Sequence, residues 1–295
     1  MGRRTESLLE RGVHRLSRPP VEWNGGRLLA SVVVAAGLAA TVATTGAGTA
    51  AAATTTPPPV EVGAPAGGGP ARPSGGGSSG LPFAGAPVLD APVVALAAVP
   101  GGGGYWEVAS DGGIFSFGDA QFYGSMGGHP LNQPIVGMAA TPDGRGYWEV
   151  ASDGGIFSFG DAPFYGSMGG HPLNQPIVGM AATPDGRGYW EVASDGGIFA
   201  FGNAQFYGSM GGHPLNQPVV GMAAAPNGGG YWEVASDGGI FSFGDAHFYG
   251  SMGGHPLNQP IVGMAAAPGG GYWLATSAGG VDSEDAPSFK AAGVA

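Results

Sequence analysis

The chain is built largely from one unit that repeats about every 42 residues. A Tyr-Trp pair marks each unit, and successive pairs are 42, 42, 42 and 41 residues apart. The pairs are Tyr105-Trp106, Tyr147-Trp148, Tyr189-Trp190, Tyr231-Trp232 and Tyr272-Trp273. Periods of roughly 20 to 50 residues are typical of solenoids, propellers and other arrays, in which each unit buries its apolar surface against its neighbours. The repeat therefore indicates a modular fold that uses one kind of interface several times.

The second unit illustrates the expected strands. The run "IVGMAAT" (135–141) is apolar and small, and "PDGRG" after it is typical of a turn. In "YWEVAS" (147–152) the pattern alternates, which predicts Trp148 and Val150 on one face and Tyr147 and Glu149 on the other. No segment of the unit has a helical period.

Two further strands are expected after this one. Asp153-Gly154 matches the two-residue type I′ hairpin, in which both positions need a positive φ. The alternation in "GIFSFG" (155–160) places Phe157 and Phe159 on the same face, and "FYGSMG" (164–169) is predicted to form a fourth strand. The stretch "GHPLNQP" (170–176) then leads to the next unit.

Four antiparallel strands in roughly 40 residues are typical of a propeller blade. Small residues in the first strand suit a crowded axis, whereas Trp and Phe in the second and third strands suit the wider space between sheets. We therefore predict an all-β, five-bladed β-propeller with four-stranded blades over residues 91–293, with blades at about 91–133, 134–175, 176–217, 218–259 and 260–293. An open β-solenoid of stacked hairpins is the alternative, and the frame in which a ring would close stays open.

The fifth unit departs from the others. Asp282 and Glu284 stand where the second unit has Phe157 and Phe159, after allowance for a one-residue deletion. Terminal repeats are often atypical because they cap the array.

The residues before the repeat predict export. Residues 1–53 combine six arginines with the apolar run 28–43 and a small-residue stretch near 50–53, the pattern of a cleaved signal peptide, with an uncleaved anchor helix as the alternative. Residues 54–90 are rich in Pro, Gly and Ser and predict a disordered linker. We therefore expect the protein to be secreted or associated with the cell surface.

The charge of the remaining chain limits its partners. Residues 54–295 carry four basic and 18 acidic residues, a net charge of −14. Such a surface repels phosphate backbones and anionic lipids, so we expect neither nucleic-acid binding nor membrane binding by the folded region. The chain has no cysteine, which excludes disulfides, thiolate nucleophiles and Cys-ligated metals.

The string "YWxVxSDGGIFxFGDAxFYGS" resembles the repeats of secreted bacterial proteins, which occur alone or attached to cell-wall hydrolases. The resemblance covers residues 91–293 and implies an exported, β-propeller-like repeat. "SDGGIF" (152–157) is also similar to the Asp-box hairpin of glycosidase propellers, although its spacing differs. Five short blades resemble the tachylectin type of lectin propeller in architecture, and no sugar-binding residue carries over.

Candidate ligand-binding residues recur once per unit in "GGHPLNQP". They are His129, His171, His213 and His255, together with Asn132, Asn174, Asn216 and Asn258. We expect this loop to lie on the same face as the "SDGG" turns. Tyr147, Tyr189 and Tyr231 are further candidates, because a partly exposed ring beside Asn and Asp provides a stacking surface for a sugar. The alternative is that each His or Asn only fixes its own loop, and that each Tyr is core. We predict that Trp148, Phe157, Phe159, Phe164 and Tyr165, with their equivalents, are mostly core between the blades.

The acidic residues are better explained as turn formers than as catalysts. The Asp of "SDGG" tolerates a tight turn and bonds its own backbone, and "FGDA" becomes "FGNA" at Asn203. We predict no catalytic residue, no metal site and no cofactor, since adjacent loops of a propeller lie roughly 10 Å apart, too far for shared ligands. Near-identical units cannot easily supply the different roles that an active site combines.

Repetition instead favours binding. Identical weak sites on one scaffold bind a repetitive ligand with avidity. The sequence therefore predicts a non-catalytic, multivalent binding module for cell-surface or cell-wall polysaccharide. The alternatives are an adhesive or structural module that binds a surface protein, and a hydrolase that acts on glycans.

Overall fold

The structure is a computed structural model that describes residues 34–35 and 89–286, and it is all-β. Five sheets follow one another along the chain, each with three consecutive antiparallel strands. Among the described residues no helix is long and apolar enough to cross a membrane. Apart from Val34–Ala35, the predicted signal segment lies outside the described residues, as do residues 54–88 of the predicted linker.

The strands of each sheet pair in chain order, first with second and second with third. Sheet 1 has β2 (Val93–Ala98), β3 (Gly104–Ala109) and β4 (Ile114–Gly118), and β1 (Val34–Ala35) adds to β2 in parallel. Sheet 2 has β5 (Ile135–Ala140), β6 (Gly146–Ala151) and β7 (Ile156–Gly160). Sheet 3 has β8 (Ile177–Ala182), β9 (Gly188–Ala193) and β10 (Ile198–Gly202). Sheet 4 has β11 (Val219–Ala224), β12 (Gly230–Ala235) and β13 (Ile240–Gly244), and sheet 5 has β14 (Ile261–Ala266), β15 (Tyr272–Thr276) and β16 (Val281–Glu284).

The prediction of four strands per unit is wrong, because "FYGSMG" forms no strand. We call the residues that follow each third strand the edge segment (119–127, 161–169, 203–211 and 245–253). Its backbone departs from an extended strand at Gly166, where φ is +128°, and the residue before the segment, Gly160, has a φ of +67°. Its backbone bonds instead to a side chain of the next sheet: the Tyr189 hydroxyl accepts from Tyr165 N at 3.1 Å and donates to Gly166 O at 2.6 Å.

The prediction of a type I′ turn at Asp153-Gly154 is also wrong. Only Gly154 has a positive φ, of +77°, while Asp153 keeps a negative φ. Gly154 N donates to Ala151 O, and Ala151 N donates to Gly155 O, which describes a four-residue turn over 151–154 whose last residue is a left-handed glycine. Asp153 Oδ1 accepts from Gly155 N at 3.0 Å, so the carboxylate serves the turn as expected.

The predicted alternation along the second strand is confirmed, and it builds the contact between consecutive sheets. Trp148 packs towards sheet 3, where its ring lies 5.6 Å from that of Tyr189. Tyr147, from the other face, packs 5.5 Å from Trp106 of sheet 1. Phe159 pairs in register with Tyr147 and lies on the same side. The first three interfaces therefore consist of the Trp face of one sheet against the Tyr and Phe face of the next, and at the fourth Trp232 meets Tyr272 without a Phe.

The register of the fifth sheet also agrees with the sequence. Asp282 pairs with Leu274 and Glu284 pairs with Tyr272, the positions that Phe157 and Phe159 occupy in sheet 2.

The tyrosine hydroxyl at each interface joins the edge segment of one unit to the sheet of the next. Tyr147 accepts from Tyr123 N at 3.2 Å and donates to Gly124 O at 2.5 Å. Trp106 Nε1 fixes the start of the same segment by donating to Gln121 O at 2.8 Å. Burial raises the pKa of Tyr147 to about 12, so the hydroxyl keeps the proton that it donates. We call these two hydrogen bonds of one tyrosine hydroxyl the tyrosine clamp. The clamp holds the edge segment in place of the predicted fourth strand.

The first strands of the five sheets lie beside one another. Consecutive first strands are in contact from β2 to β14, and β1 contacts both β2 and β14. All five first strands line one cavity of about 280 Å³, whose wall consists of Ala97, Ala98, Met138, Ala139, Ala140, Met180, Ala181, Ala182, Met222, Ala223, Ala224, Met264, Ala265 and Ala266. The small side chains of "GMAA" allow the five strands to converge on this space.

The clamp predicts that removing one tyrosine hydroxyl lowers the unfolding free energy. Tyr147→Phe leaves the Tyr123 amide and the Gly124 carbonyl without their partner, and we expect a loss of about 1–3 kcal/mol in unfolding free energy. Tyr123→Phe is the matched control, because its hydroxyl makes a single bond of 3.1 Å to Gly144 O on a half-buried ring. Urea unfolding of both variants measures the difference, and an equal loss in the two would contradict the clamp.

Candidate functional site

The histidines and asparagines of "GGHPLNQP" lie on exposed loops. His129, His171, His213 and His255 are exposed, as are Asn132, Asn174, Asn216 and Asn258. Their loops meet the "SDGG" turns as expected, since Pro134 O accepts from Ser152 N at 2.9 Å and Ser110 O accepts from Ile135 N at 2.9 Å. We call this side of the sheets the loop face.

One groove on the loop face brings a predicted residue together with a turn. It encloses about 270 Å³ and is lined by Pro214, Leu215, Asn216, Gln217, Ala235, Asp237, Gly239, Ile240, Phe241, Ser251, Gly253 and Gly254. Asn216 and Asp237 thus share a groove between units 3 and 4, whereas His213 is not part of its wall. Within the described residues no group of three or more His, Asp or Glu side chains is arranged to hold a metal ion.

The expectation that Tyr147 is partly exposed is wrong. Tyr147, Tyr189 and Tyr231 are each 0% exposed, and their hydroxyls are engaged by the edge segments. These rings pack between sheets because they lie on the face that receives the Trp of the preceding unit. No sugar can stack on them in this structure.

The exposed aromatics are instead phenylalanines that the sequence analysis assigned to the core. Phe122, Phe164, Phe206 and Phe248 are 47%, 61%, 58% and 53% exposed. Each precedes the tyrosine whose backbone N–H bonds to the next sheet. Because successive side chains point in opposite directions, the Phe ring faces outwards where the Tyr ring faces inwards. The alternation within "FYG" was the signal that could have separated the two rings. The edge segments therefore present four equivalent aromatic surfaces.

A second groove lies next to one of these rings, on the side opposite the loop face. It encloses about 270 Å³ and is lined by Thr183, Pro184, Asp185, Trp190, Asn203, Gln205, Tyr207, Asn227 and Gly228. Phe206 stands between Gln205 and Tyr207, which are both wall residues. We call this region the edge groove. Its wall carries amide and carboxylate groups, and Phe206, the exposed residue between two wall residues, is not itself part of the wall.

Hydrogen bonds fix the polar groups of the edge groove. Asn203 Nδ2 donates to Asp185 Oδ2 at 2.7 Å, and Thr183 Oγ1 donates to Asp185 Oδ1 at 2.7 Å. The Thr183 hydroxyl, with the Arg187 amide, lowers the pKa of Asp185. The groove thus offers a fixed carboxylate and an amide as hydrogen-bonding groups.

Unit 2 has two carboxyl groups where unit 3 has Asp185 and Asn203. The Thr141 hydroxyl and the Arg145 amide lower the pKa of Asp143, whereas burial and the Asp143 charge raise the pKa of Asp161. The opposite directions of the two pKa shifts indicate that the carboxyl groups interact with each other. Because Asn203 replaces one carboxyl in unit 3, the pair is better explained as a turn brace than as a catalytic pair.

Three glutamates are buried at the interfaces, and the sequence analysis gave them no role beyond strand alternation. Glu149, Glu191 and Glu233 are 0% exposed, and neither oxygen of any of them has a hydrogen-bond partner within the described residues. Each carboxyl group lies against the "SDGG" turn of the preceding unit. A Cβ placed on Gly112, Gly154 or Gly196 would lie 3.1, 2.8 or 2.8 Å from the Oε2 atom that faces it.

Burial sets the protonation of these glutamates. It raises the pKa of Glu149 to about 8, and the Asp111 carboxylate of the facing turn adds to the rise. Burial likewise raises the pKa of Glu191 to about 8, where the Met168 N–H opposes the shift in part and Asp153 adds to it. That N–H already donates to Gly154 O at 2.9 Å, so it gives the carboxyl group little compensation. The glutamates are therefore neutral in the folded protein below about pH 8.

The chain matches no protein-family profile and no curated protein sequence.

The glutamates predict a fall in stability with rising pH. A carboxyl group whose pKa is raised to about 8 in the folded state stabilises it fully below the unfolded pKa of about 4.5, and the contribution is lost as the pH rises towards 8. We expect each carboxyl group to remove on the order of 3 kcal/mol between pH 5 and pH 8. The triple variant E149Q/E191Q/E233Q should show a flatter curve of unfolding free energy against pH.

Glu107→Gln is the matched control for this experiment. Glu107 occupies the same strand position but is only half-buried, so its substitution should change the slope less than any one of the three others. An unchanged slope in the triple variant, measured by urea unfolding at each pH, would refute the assignment of the buried glutamates as the titrating groups.

Proposed function

We propose that residues 91–293 form a ring of five sectors, a propeller, which acts as a non-catalytic, multivalent binding module for a repetitive polysaccharide of the cell surface or cell wall. The observation that carries the proposal is the array of four equivalent phenylalanines that are roughly half exposed. The contact between consecutive first strands and the cavity that all five of them line support the ring.

The chemistry of the edge groove suits a sugar. A pyranose ring presents C–H groups that pack on an aromatic face, and its hydroxyls both donate and accept hydrogen bonds. Phe206 provides the ring, while Asp185, Asn203, Gln205 and Asn227 provide acceptors and donors beside it. A net charge of −14 over residues 54–295 disfavours strongly anionic polymers, so a neutral or basic glycan is the better candidate.

Multiplicity explains why single sites need not be strong. Four equivalent sites on one rigid body raise the avidity for a polymer far above the affinity of one site for one sugar. It also explains why the units tolerate differences such as Asn203 for Asp161, since no single unit is indispensable. The loop-face residues remain an alternative set of contacts for the same ligand, with His171 and Asn216 as examples.

Substitution of the phenylalanines tests this proposal. We expect the variant with Phe122, Phe164, Phe206 and Phe248 all changed to Ser to lose at least tenfold in apparent affinity for an insoluble polysaccharide, while F164S alone loses only a few-fold. Pull-down isotherms with the full chain measure the loss, and thermal unfolding checks that the variants remain folded.

The matched control carries Ala at Asn132, Asn174, Asn216 and Asn258, which are equally repetitive and exposed but lie on the loop face. A strong loss of affinity in this control, with no loss in the phenylalanine variant, would show that the ligand binds the loop face and not the phenylalanines. Retention on cell walls that is destroyed by protease and unaffected by glycan digestion would favour a surface protein as the partner.

A further inference from the structure

Units 1 to 4 are identical on the loop face and differ beside the edge groove. The strings "GYWEVASDGGIF" and "FYGSMGGHPLNQP" occur unchanged in all four units. The exposed differences lie in the turn after the first strand and at the start of the edge segment, where unit 3 has Asp185, Asn203 and Gln205. These residues line the edge groove together with Asn227 from the corresponding turn of unit 4. Each unit therefore places a different set of polar groups next to the same phenylalanine.

Among the described units, only unit 3 has a hydrogen-bonded pair of an amide and a carboxylate at these positions. Asn203 Nδ2 donates to Asp185 Oδ2 at 2.7 Å. Asp185 Oδ1 also accepts from Thr183 Oγ1 at 2.7 Å and from Arg187 N at 3.1 Å. These bonds, that of the Thr183 hydroxyl foremost, lower the pKa of Asp185, so the carboxylate is charged at neutral pH. The pair is thus held in place by the protein itself.

The other units lack this pair for different reasons. In unit 2 both positions are carboxyl groups, and burial and the Asp143 charge raise the pKa of Asp161. Unit 1 has Gly101 at the first of the two positions. In unit 4 the amide and the carboxylate are exchanged, as Asn227 and Asp245, and no hydrogen bond links them in the part of the chain that the structure describes. The grooves therefore differ in chemistry although the phenylalanines repeat.

The pair of unit 3 keeps hydrogen-bonding capacity for a ligand. Asn203 has a second N–H, and its Oδ1 lies 3.4 Å from Thr183 Oγ1, whose proton goes to Asp185. Asp185 Oδ2 retains a lone pair beside its bond from Asn203. From unit 4, Asn227 Oδ1 accepts from Gly229 N at 2.9 Å, while its N–H groups bond to no described residue. A donor and an acceptor thus lie side by side in a cavity of about 270 Å³.

An adjacent donor and acceptor match two hydroxyl groups on neighbouring carbon atoms of a pyranose. One hydroxyl donates to Asp185 Oδ2 while the next accepts from Asn203 Nδ2. An ammonium group has no acceptor for the amide N–H groups, and a carboxylate would be repelled by Asp185. Trp190 and Tyr207, whose ring centroids lie 6.5 Å apart, add apolar wall for the C–H groups of the sugar. The groove therefore fits a neutral sugar better than a charged one.

We propose that the edge groove between units 3 and 4 recognises a vicinal diol of a neutral pyranose, and that Asn203 is the residue that determines this specificity. The inference rests on the polysaccharide-binding function proposed above and names the chemistry of one of its sites. The phenylalanines of all four units provide the repeated contact, whereas the selective contact belongs to unit 3.

Titration of the ¹⁵N-labelled full chain with single sugars tests the site without the avidity of a polymer. The probes are the methyl pyranosides of glucose, mannose and galactose, which present their hydroxyls in different orientations. We expect at least one of them to shift the side-chain amide signals of Asn203, while those of Gln175, an exposed residue of the loop face, stay in place. No shift at Asn203 with any of the three sugars would refute the proposal.

Asn203→Asp should weaken the binding of that sugar roughly fivefold or more, because it replaces the donor by a second carboxyl group. Loss of the fold is not expected, since Asp119, Asp161 and Asp245 occupy this position in the other units. Gln175→Glu is the matched control, because it adds the same charge on the loop face, and we expect it to leave the affinity unchanged. An equal loss in both variants would assign the effect to net charge and overturn the role of Asn203.

Deoxy analogues test the diol itself. Of the methyl pyranosides that lack the 2-, 3- or 4-hydroxyl of the sugar that binds, those that lose one partner of the diol should bind roughly fivefold more weakly or worse. Equal affinity for all three analogues and the parent sugar would refute recognition of a hydroxyl pair, and tighter binding of methyl glucosaminide, a cationic sugar, would refute the preference for a neutral one.

The pull-down on insoluble polysaccharide separates this inference from the proposed function. Retention that depends on the four phenylalanines but not on Asn203, with no shift of the Asn203 signals, would refute the specificity and leave the polysaccharide-binding function standing. Absence of both retention and shifts would contradict the two together.

Discussion

The tyrosine clamp is the interaction on which the arrangement of the units depends. Units 1 to 4 each end in an edge segment that has no strand ladder, so its backbone groups need partners from elsewhere. Tyr147 meets that need with one hydroxyl that accepts from Tyr123 N and donates to Gly124 O, while its ring packs on Trp106. Local backbone satisfaction and contact between consecutive sheets are thus provided by the same side chain. The edge segments of units 1 to 4 therefore depend on the sheet that follows each of them.

The clamp also decides which aromatic residues face solvent. Because Tyr123 N is drawn towards the next sheet, the preceding ring of Phe122 is left outside, 47% exposed. The burial of Glu149 has a related origin, since it shares the Tyr147 face and meets the turn of the preceding unit. One strand pattern therefore produces a sealed interface, a buried titratable group and an exposed aromatic surface. The first two concern stability, and only the third is available to a ligand.

Much of the fold could be read from the sequence because strand alternation and turn chemistry are local. The faces of Trp148 and Tyr147, the shared side of Phe157 and Phe159, and the turn role of Asp153 all depend on residues near in sequence. The fate of "FYGSMG" could not be read in this way, because its hydrogen bonds go to Tyr189, 24 residues away. The prediction that Tyr147 is partly exposed was wrong for the same reason. A residue opposite a core Trp is exposed only when no other sheet covers it, and the single-strand pattern carries no information about the neighbouring sheet.

The fifth unit shows what the interface between consecutive sheets requires. Leu274 replaces the glutamate in the second strand of sheet 5, and Glu284 replaces the phenylalanine that pairs with the tyrosine. Both replacements lie on the face that meets unit 4, since Leu274 packs in the cluster of Trp232 and a Cβ on Gly250 would lie 2.5 Å from Glu284 Oε2. The Trp232–Tyr272 ring contact and the hydroxyl bond to Tyr249 N are nevertheless the same as at the other interfaces. Leu274 places a hydrocarbon side chain where Glu149, Glu191 and Glu233 bury carboxyl groups without hydrogen-bond partners, so the packing of the interface does not depend on the buried titratable group, whereas it keeps the Trp and the clamping Tyr.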